Sequence, residues 1–219
     1  MRKAVILAVG SYDPPTNAHL RMLEDAKITL KKKGIEVVEG IMSPVSRGLD
    51  KKLSPNYQRF AMVSAATSTS SWIRADSWEC SQRDVNTLVN VVKHHKEQTA
   101  KKHGDHTLLF LVVGGDVIDT FAHRDEDGSP LWKTSDLIEI ITGGLIIQKR
   151  LGSDPEGTLE KMEELYDYTP PIVYINNPLS TDSISSGRLR EEVKQGNSIQ
   201  YATPDAVVDF IRENMLYKN

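Results

Sequence analysis

A three-layer α/β fold, with a mostly parallel central sheet and helices on both faces, is what this sequence predicts. Three observations carry that prediction. Apolar runs of strand length recur along the chain, helical patterns separate them, and the first run leads through a glycine turn into a helix start. Strands that alternate with helices pair in parallel, because each crossover helix returns the chain to the same end of the sheet and covers one of its faces.

The elements follow in order. Residues 4 to 9 read Ala4-Val5-Ile6-Leu7-Ala8-Val9, a continuous apolar run suited to a strand buried on both faces. Gly10-Ser11 turns the chain, and Thr16 is placed to cap a helix over 16 to 33. A second strand is expected over 35 to 42, a helix over 55 to 69, and a short strand at Trp72-Ile73-Arg74-Ala75. A helix over 82 to 102 precedes the strand at 107 to 113, which runs into Gly114-Gly115-Asp116. His123 to Pro130 is charged and ends in turn residues, so it reads as an exposed loop before Leu131-Trp132. A strand over 144 to 148, a helix over 155 to 166 and a strand over 171 to 175 follow. Thr203-Pro204-Asp205 then opens a last helix over 204 to 216. In this topology the turns after residues 9, 42, 113 and 148 open at the carboxyl edge of the sheet, where such folds hold ligands.

Composition narrows the class. A chain of 219 residues can bury one substantial core, and residues 1–219 are expected to form a single domain. No apolar run approaches the ~20 residues needed to cross a bilayer, and no secretory leader pattern opens the chain. A soluble intracellular protein, cytoplasmic or nuclear, without a membrane partner is therefore the expectation. Lys101-Lys102-His103 is too short a basic run to choose between those compartments. The single cysteine, Cys80, excludes an internal disulfide and a cysteine-based zinc cluster. With 27 basic against 30 acidic side chains the net charge is -3, which argues against a broad nucleic-acid surface. Any phosphate-binding charge on the protein must be concentrated locally, and the expected partners are small molecules.

The stretch Gly10-Ser11-Tyr12-Asp13-Pro14-Pro15-Thr16-Asn17-Ala18-His19 is where that concentration starts. The first strand-turn-helix of an open α/β sheet presents backbone N–H groups and a helix macrodipole to an anion. With Thr16 as N-cap, positions 16 and 19 share a helix face, so a hydroxyl and an imidazole can address one phosphate. His19 in isolation reads as a surface or capping residue; its place behind Gly10-Ser11 favours the phosphate reading. Gly10 lets the chain turn close to a ligand, and Ser11 and Tyr12 offer backbone N–H groups rather than side-chain chemistry. The arrangement suits phosphoryl or nucleotidyl transfer. No Gly-x-Gly-x-x-Gly follows the first strand, which weighs against an oxidoreductase.

This stretch resembles the His-x-Gly-His signature of the nucleotidyltransferase superfamily. It is most like the variant in eukaryotic nicotinamide mononucleotide adenylyltransferases, where Thr takes the place of the first His. Asp182-Ser183-Ile184-Ser185-Ser186-Gly187-Arg188-Leu189-Arg190 is similar to the family's Ile-Ser-x-Thr-x-x-Arg element. Ser43-Pro44-Val45 with Lys51-Lys52, Trp72-Ile73-Arg74 with Trp78-Glu79, Gly114-Gly115-Asp116 and Leu131-Trp132-Lys133 resemble the family in order and approximate spacing. The resemblance spans nearly the whole chain and implies a Rossmann-like fold. It implies an enzyme that joins nicotinamide mononucleotide, and also nicotinate mononucleotide, to ATP, giving NAD or deamido-NAD and pyrophosphate. Mg²⁺ is implied as a cofactor carried by the nucleotide, with no dedicated metal site on the protein, and the family commonly forms homo-oligomers.

The resemblance also implies residue roles. His19 with Thr16 would hold the α-phosphate region, and Lys51, Arg188 and Arg190 the leaving pyrophosphate. Ser185 and Gly187 would contribute beside them, with Gly10, Ser11 and Tyr12 forming the turn. Asp182 would accept from adenine or ribose, Gly114 and Asp116 would meet a ribose diol, and Leu131 and Trp132 would contact the pyridine. Arg150, at the end of a strand, is a further phosphate candidate. Read locally, Arg188 and Arg190 are equally exposed helix-start residues, Lys51-Lys52 a solvated pair, and Asp116 an N-cap beside a tight turn. The sequence departs from the family pattern at Gly187, where the family has Thr, at Leu49, often Tyr, and at Asp182, commonly Asn. Val85 and Leu88 stand where the animal enzymes carry Trp-x-x-Thr, and Thr87 fits only with a shifted register. Trp78, His94 and His95 are assigned to structure or surface. Two alternatives remain open: a sibling adenylyltransferase for another phosphorylated acceptor, and a non-catalytic nucleotide-binding or chaperone-like protein of the same fold.

Overall fold

The computed structural model describes residues 2–46, 52–149, 152–165, 168, 170–175 and 183–218, with Glu164 described in its backbone only. In chain order the elements are β1 (Arg2–Gly10), α1 (Asn17–Lys32), β2 (Ile35–Pro44), α2 (Asn56–Thr67), β3 (Ile73–Ala75), α3 (Leu88–His103), β4 (Leu108–Gly114), α4 (Gly115–Asp119), α5 (Thr134–Thr142), β5 (Leu145–Gln148), α6 (Pro155–Glu160), β6 (Ile172–Ile175), α7 (Ser186–Lys194) and α8 (Asp205–Glu213). The strands form one sheet of six in the order β3-β2-β1-β4-β5-β6. The β1/β4, β2/β3, β4/β5 and β5/β6 pairs are parallel, with β1 registered on β4 from Ala4 beside Leu108 to Ala8 beside Val112. The chain winds one way from β1 through β2 to β3, then the other way from β4 to β6. Right-handed crossovers place helices on both faces of such a sheet, which is the expected Rossmann-like α/β class.

Two compact units make up the chain. The first comprises residues 1–8, 25–38 and 87–178. Its core is the buried face of β1 with Phe110 and Leu111 of β4, Ile140 and Ile141 of α5, and Leu145, Ile146 and Ile147 of β5. The second comprises residues 9–24, 39–86 and 179–219. There Met62 and Ala66 of α2 pack with Leu189 of α7, Ile199, and Val207 and Ile211 of α8. That cluster holds α8 against α2 and draws in α7 through Leu189, apolar burial being worth about 1.5–3 kcal/mol for each fully buried large side chain.

Boundaries differ from the sequence expectation at several places, each for a local reason. The helix expected over 82 to 102 starts at Leu88, because the Thr87 hydroxyl accepts from the Asn90 N–H and caps it there. The helix expected to reach residue 166 stops at Glu160 and is followed by a 3₁₀ turn at Glu163–Leu165. The last helix ends at Glu213, and Met215 and Tyr217 beyond it adopt left-handed φ values of 51° and 63° that a helix cannot contain. Helix α5 was not anticipated, although Leu137, Ile140 and Ile141 form its buried stripe and carry the helical period.

Candidate functional site

In the second unit, the turn after β1 is built around a reciprocal cap. The His19 N–H points back to Thr16, 3.1 Å from its carbonyl and 3.4 Å from its Oγ1. The Thr16 N–H donates to His19 Nδ1 at 3.0 Å, and Thr16 Oγ1 lies 2.9 Å from the same nitrogen. This is a capping box with histidine in the place of the usual Glu or Gln. A backbone N–H aimed at Nδ1 requires its lone pair, so the hydrogen-bond network assigns the proton to Nε2. Neutral His19 is therefore already an N–H donor. The Asn17 N–H donates to Ala202 O at 2.9 Å, so the first amide of α1 is satisfied within the protein rather than held for an anion.

Tyr12 occupies a left-handed conformation (φ 48°) and is buried. Its ring stands edge-on to His19 with centroids 5.1 Å apart. A Cβ at Gly10 would approach that ring to 3.2 Å, so the absence of one lets Tyr12 fold back closely over it. Burial, followed by the nearby Glu79 charge, pushes the Tyr12 hydroxyl well above its usual range. The Tyr12 side chain stays neutral and contributes shape.

Helix α7 meets this turn. Ser185 caps it by accepting from the Arg188 N–H, and the Ser186 hydroxyl donates to Pro14 O at 2.7 Å. Arg190 Nη1 donates to Asp13 O at 2.6 Å. The Asp13 carboxylate is buried and accepts from the Ser54 N–H at 2.9 Å and from the Tyr217 hydroxyl. Arg188 is exposed and donates to Ser183 O, while Gly187 faces open space with the Arg190 guanidinium 4.0 Å from its hypothetical Cβ. Thus Gly10, Ser11, Tyr12, Thr16, His19 and the start of α7 are one locality. Lys51, Asp182 and Arg150 lie outside the described residues.

The sequence reading missed the group at the centre of this locality. Arg59 of α2 is fully buried and donates to Ser11 O (2.8 Å), Val45 O (2.6 Å), Ser54 O (3.0 Å) and Asn56 Oδ1 (2.7 Å). Its signal was present: Arg59 occupies the buried stripe Arg59, Met62, Val63, Ala66 of a helix, where an arginine must find partners. Glu79 is also buried, beside Ser43 Oγ at 3.5 Å. Burial raises its carboxyl to about 7, with hydrogen bonds from Ser46 and Ser43 and the Arg59 charge pulling the other way.

The first unit carries the remaining candidates. Gly114 is the N-cap of α4, and Asp116 sits exposed on that helix's first turn, so Asp116 is not itself the cap. A Cβ on the adjacent Gly115 would fall 2.5 Å from Ser153 Oγ, which explains the second glycine by packing. Trp132 donates from Nε1 to Thr120 Oγ1 at 3.1 Å and tilts against Phe121 with centroids 5.2 Å apart. It walls a pocket of about 210 Å³ that is also lined by His123, Arg124, Leu137 and Lys161. Leu131 beside it is exposed. His95 is fully buried with His94 edge-on against it, which agrees with a structural assignment for that pair.

Comparison with known proteins addresses the family. A cytidylyltransferase-like family model matches residues 7–192. A nicotinamide/nicotinic acid mononucleotide adenylyltransferase from Caenorhabditis elegans is 44% identical over 222 residues, covering 100% of this chain and 99% of that protein. The chain belongs to the nicotinamide/nicotinic acid mononucleotide adenylyltransferase family. An adenylyltransferase of the same description from Arabidopsis thaliana is 32% identical, covering 97% of this chain and 89% of the relative. A solved Plasmodium falciparum nicotinic acid mononucleotide adenylyltransferase complexed with NaAD shares the fold, with a TM-score of 0.68 at 22% identity over 99% of this chain and 98% of that one. Against this adenylyltransferase background the departures noted in the sequence keep their physical meaning. Thr87 caps α3, and Val85 is 63% exposed.

Proposed function

We propose that this adenylyltransferase chain joins nicotinamide mononucleotide, or nicotinate mononucleotide, to ATP. The 5'-phosphate oxygen of the mononucleotide attacks the α-phosphorus of ATP. The new P–O bond forms as the bond to the bridging oxygen of the β-phosphate breaks, and pyrophosphate leaves with that electron pair. NAD or deamido-NAD is the product. Positioning and charge neutralisation account for catalysis of this kind, without a nucleophilic side chain.

The observation that carries this reading is the Thr16–His19 cap, which fixes the imidazole in the first turn of α1 with Nδ1 turned to Thr16, the arrangement that leaves Nε2 as the donor. In this reading His19 donates to the α-phosphate oxygens as charge builds there, and Arg190, Arg188 and Lys51 neutralise the departing pyrophosphate. Ser11, Tyr12, Ser185 and Gly187 supply donors around it. Asp182 accepts from the adenosine, and Arg150 meets a phosphate. Asp116 and Gly114 meet the ribose of the mononucleotide, while Leu131 and Trp132 contact its ring. Among the described residues no group of three His, Cys, Asp or Glu side chains converges on a metal position. Magnesium enters this reading as part of the MgATP substrate, and the protein residues act on the phosphates.

The test is pyrophosphate release by purified protein with MgATP and nicotinamide mononucleotide, with the dinucleotide identified by mass. Parallel reactions contain nicotinate mononucleotide and phosphopantetheine. Dinucleotide formation supports the reading. Turnover with phosphopantetheine alone transfers the chemistry to a sibling acceptor, and nucleotide binding without pyrophosphate release overturns the enzymatic reading in favour of a binding protein.

A further inference from the structure

We infer that Arg59 is a positioning residue for triphosphate binding: its buried guanidinium holds the Ser11 carbonyl from the interior side and so aims the Tyr12 amide N–H away from the interior, at the phosphates. This rests on the reading of the glycine turn as part of the ATP site.

The geometry starts from peptide planarity. In a trans peptide the C=O and the following N–H point in opposite directions, so fixing one fixes the other. Ser11 O is held at 2.8 Å by a guanidinium with no exposed surface, while the Ser11 residue itself is exposed. The Tyr12 N–H belongs to that same peptide unit and faces the other way. Tyr12 also holds a φ of 48°, a conformation that persists in a non-glycine residue only when its surroundings determine it. Arg59 supplies part of that determination from below, and the packing of the Tyr12 ring over Gly10 and against His19 supplies the rest.

The same guanidinium ties two more main-chain carbonyls to the turn. Val45 follows β2, and its N–H donates to Gly10 O at 3.0 Å, while Ser54 precedes α2 and donates its N–H to Asp13. One planar fork thus references the glycine turn to both neighbouring segments, with Asn56 Oδ1 fixing the fork itself. Arg59 reaches the three carbonyls from three different nitrogens, whereas lysine keeps the charge but gathers its donors on a single nitrogen at the tip of a flexible stem.

The experiment compares wild-type protein with Arg59→Lys, using inorganic tripolyphosphate as probe and the Tyr12 amide resonance of ¹⁵N-labelled protein as readout, alongside steady-state kinetics. In the wild type the Tyr12 amide shifts on titration. In Arg59→Lys that shift is lost or its midpoint moves, and KM for ATP rises about tenfold or more, the effect of losing a charge-assisted hydrogen bond, while KM for the mononucleotide stays nearly constant. A lower melting temperature with both KM values and the Tyr12 shift retained overturns the inference in favour of a purely structural role. Should Arg59→Lys fail to fold, Asn56→Ala keeps the guanidinium and removes one of its anchors. A smaller change in the same direction is expected there, and an unchanged ATP KM with an unchanged Tyr12 response overturns the proposal. A wild type that makes no dinucleotide yet shows the Tyr12 response supports the positioning role while the reaction reading fails. A wild type that turns over with an unresponsive Tyr12 amide sinks the positioning role alone.

Discussion

At His19 the two ring nitrogens face different tasks, since Nδ1 accepts from Thr16 and Nε2 carries the proton. Asparagine places an acceptor near the Nδ1 position but no donor near Nε2. His19→Asn is therefore expected to melt close to the wild type while turnover falls more than ~100-fold, as when a positioned donor is removed from a transition state. His19→Ala loses the cap as well, and is expected to show the same kinetic loss with about 1 kcal/mol less stability. Near-normal turnover in either folded variant removes His19 from the chemistry. At Arg190, which already donates to Asp13 O, substitution by Ala is expected to raise KM for ATP about tenfold or more. An unchanged ATP KM and turnover would take that residue out of the site. Glu79 makes a pH prediction. Its carboxyl titrates near 7 in the folded protein, raised by burial above the ordinary value of 4.5. Between those values the folded state binds the extra proton, so the stability linked to Glu79 falls as pH rises through the window and levels off above it. Glu79→Gln is expected to remove that slope in urea unfolding followed from about pH 5 to about pH 8, and an identical slope in the variant refutes the assignment.

On the level of elements, α7 matters more than its nine residues suggest. Leu189 anchors it in the apolar cluster of the second unit, and its first turn delivers Ser186 to Pro14 O and Arg190 to Asp13 O. Leu189→Ala is expected to destabilise by about 2–5 kcal/mol, the range for truncating a buried leucine. Its ATP KM is expected to rise in the fraction that stays folded, because the helix sets the arginine. Urea denaturation and an ATP titration on the same preparation check both halves, and a stability loss under about 1 kcal/mol contradicts the packing described. The length of α3 shows the opposite case, in which one side chain limits an element: Thr87 caps it and keeps residues 82 to 87 out of the helix.

Across the whole molecule, the proposed reaction links nucleotide binding to stability. MgATP at a hundred times its dissociation constant is expected to add about 2.7 kcal/mol to the unfolding free energy. Chelating the magnesium is expected to reduce that gain, and a melting temperature indifferent to MgATP contradicts an ATP site in the folded chain. No helix among the described residues is long and apolar enough to cross a membrane. The sequence by itself determined the strand-helix alternation, the position of β1 and its glycine turn, and the placing of Thr16 and His19 on one helix face, because each depends on neighbours within a few residues and on a fixed period. Helix α5 is equally local, since its stripe at Leu137, Ile140 and Ile141 carries the helical period. Tertiary structure alone decided the strand order, the exposed position of Asp116 within α4 rather than as its cap, and the satisfaction of the Asn17 amide by Ala202. It also decided that Arg59, 48 residues from Ser11, and Tyr217, 204 residues from Asp13, would support the turn. Those contacts join groups distant in sequence. Their energetics come from removing charge and polar atoms from water, which only the folded arrangement makes unavoidable.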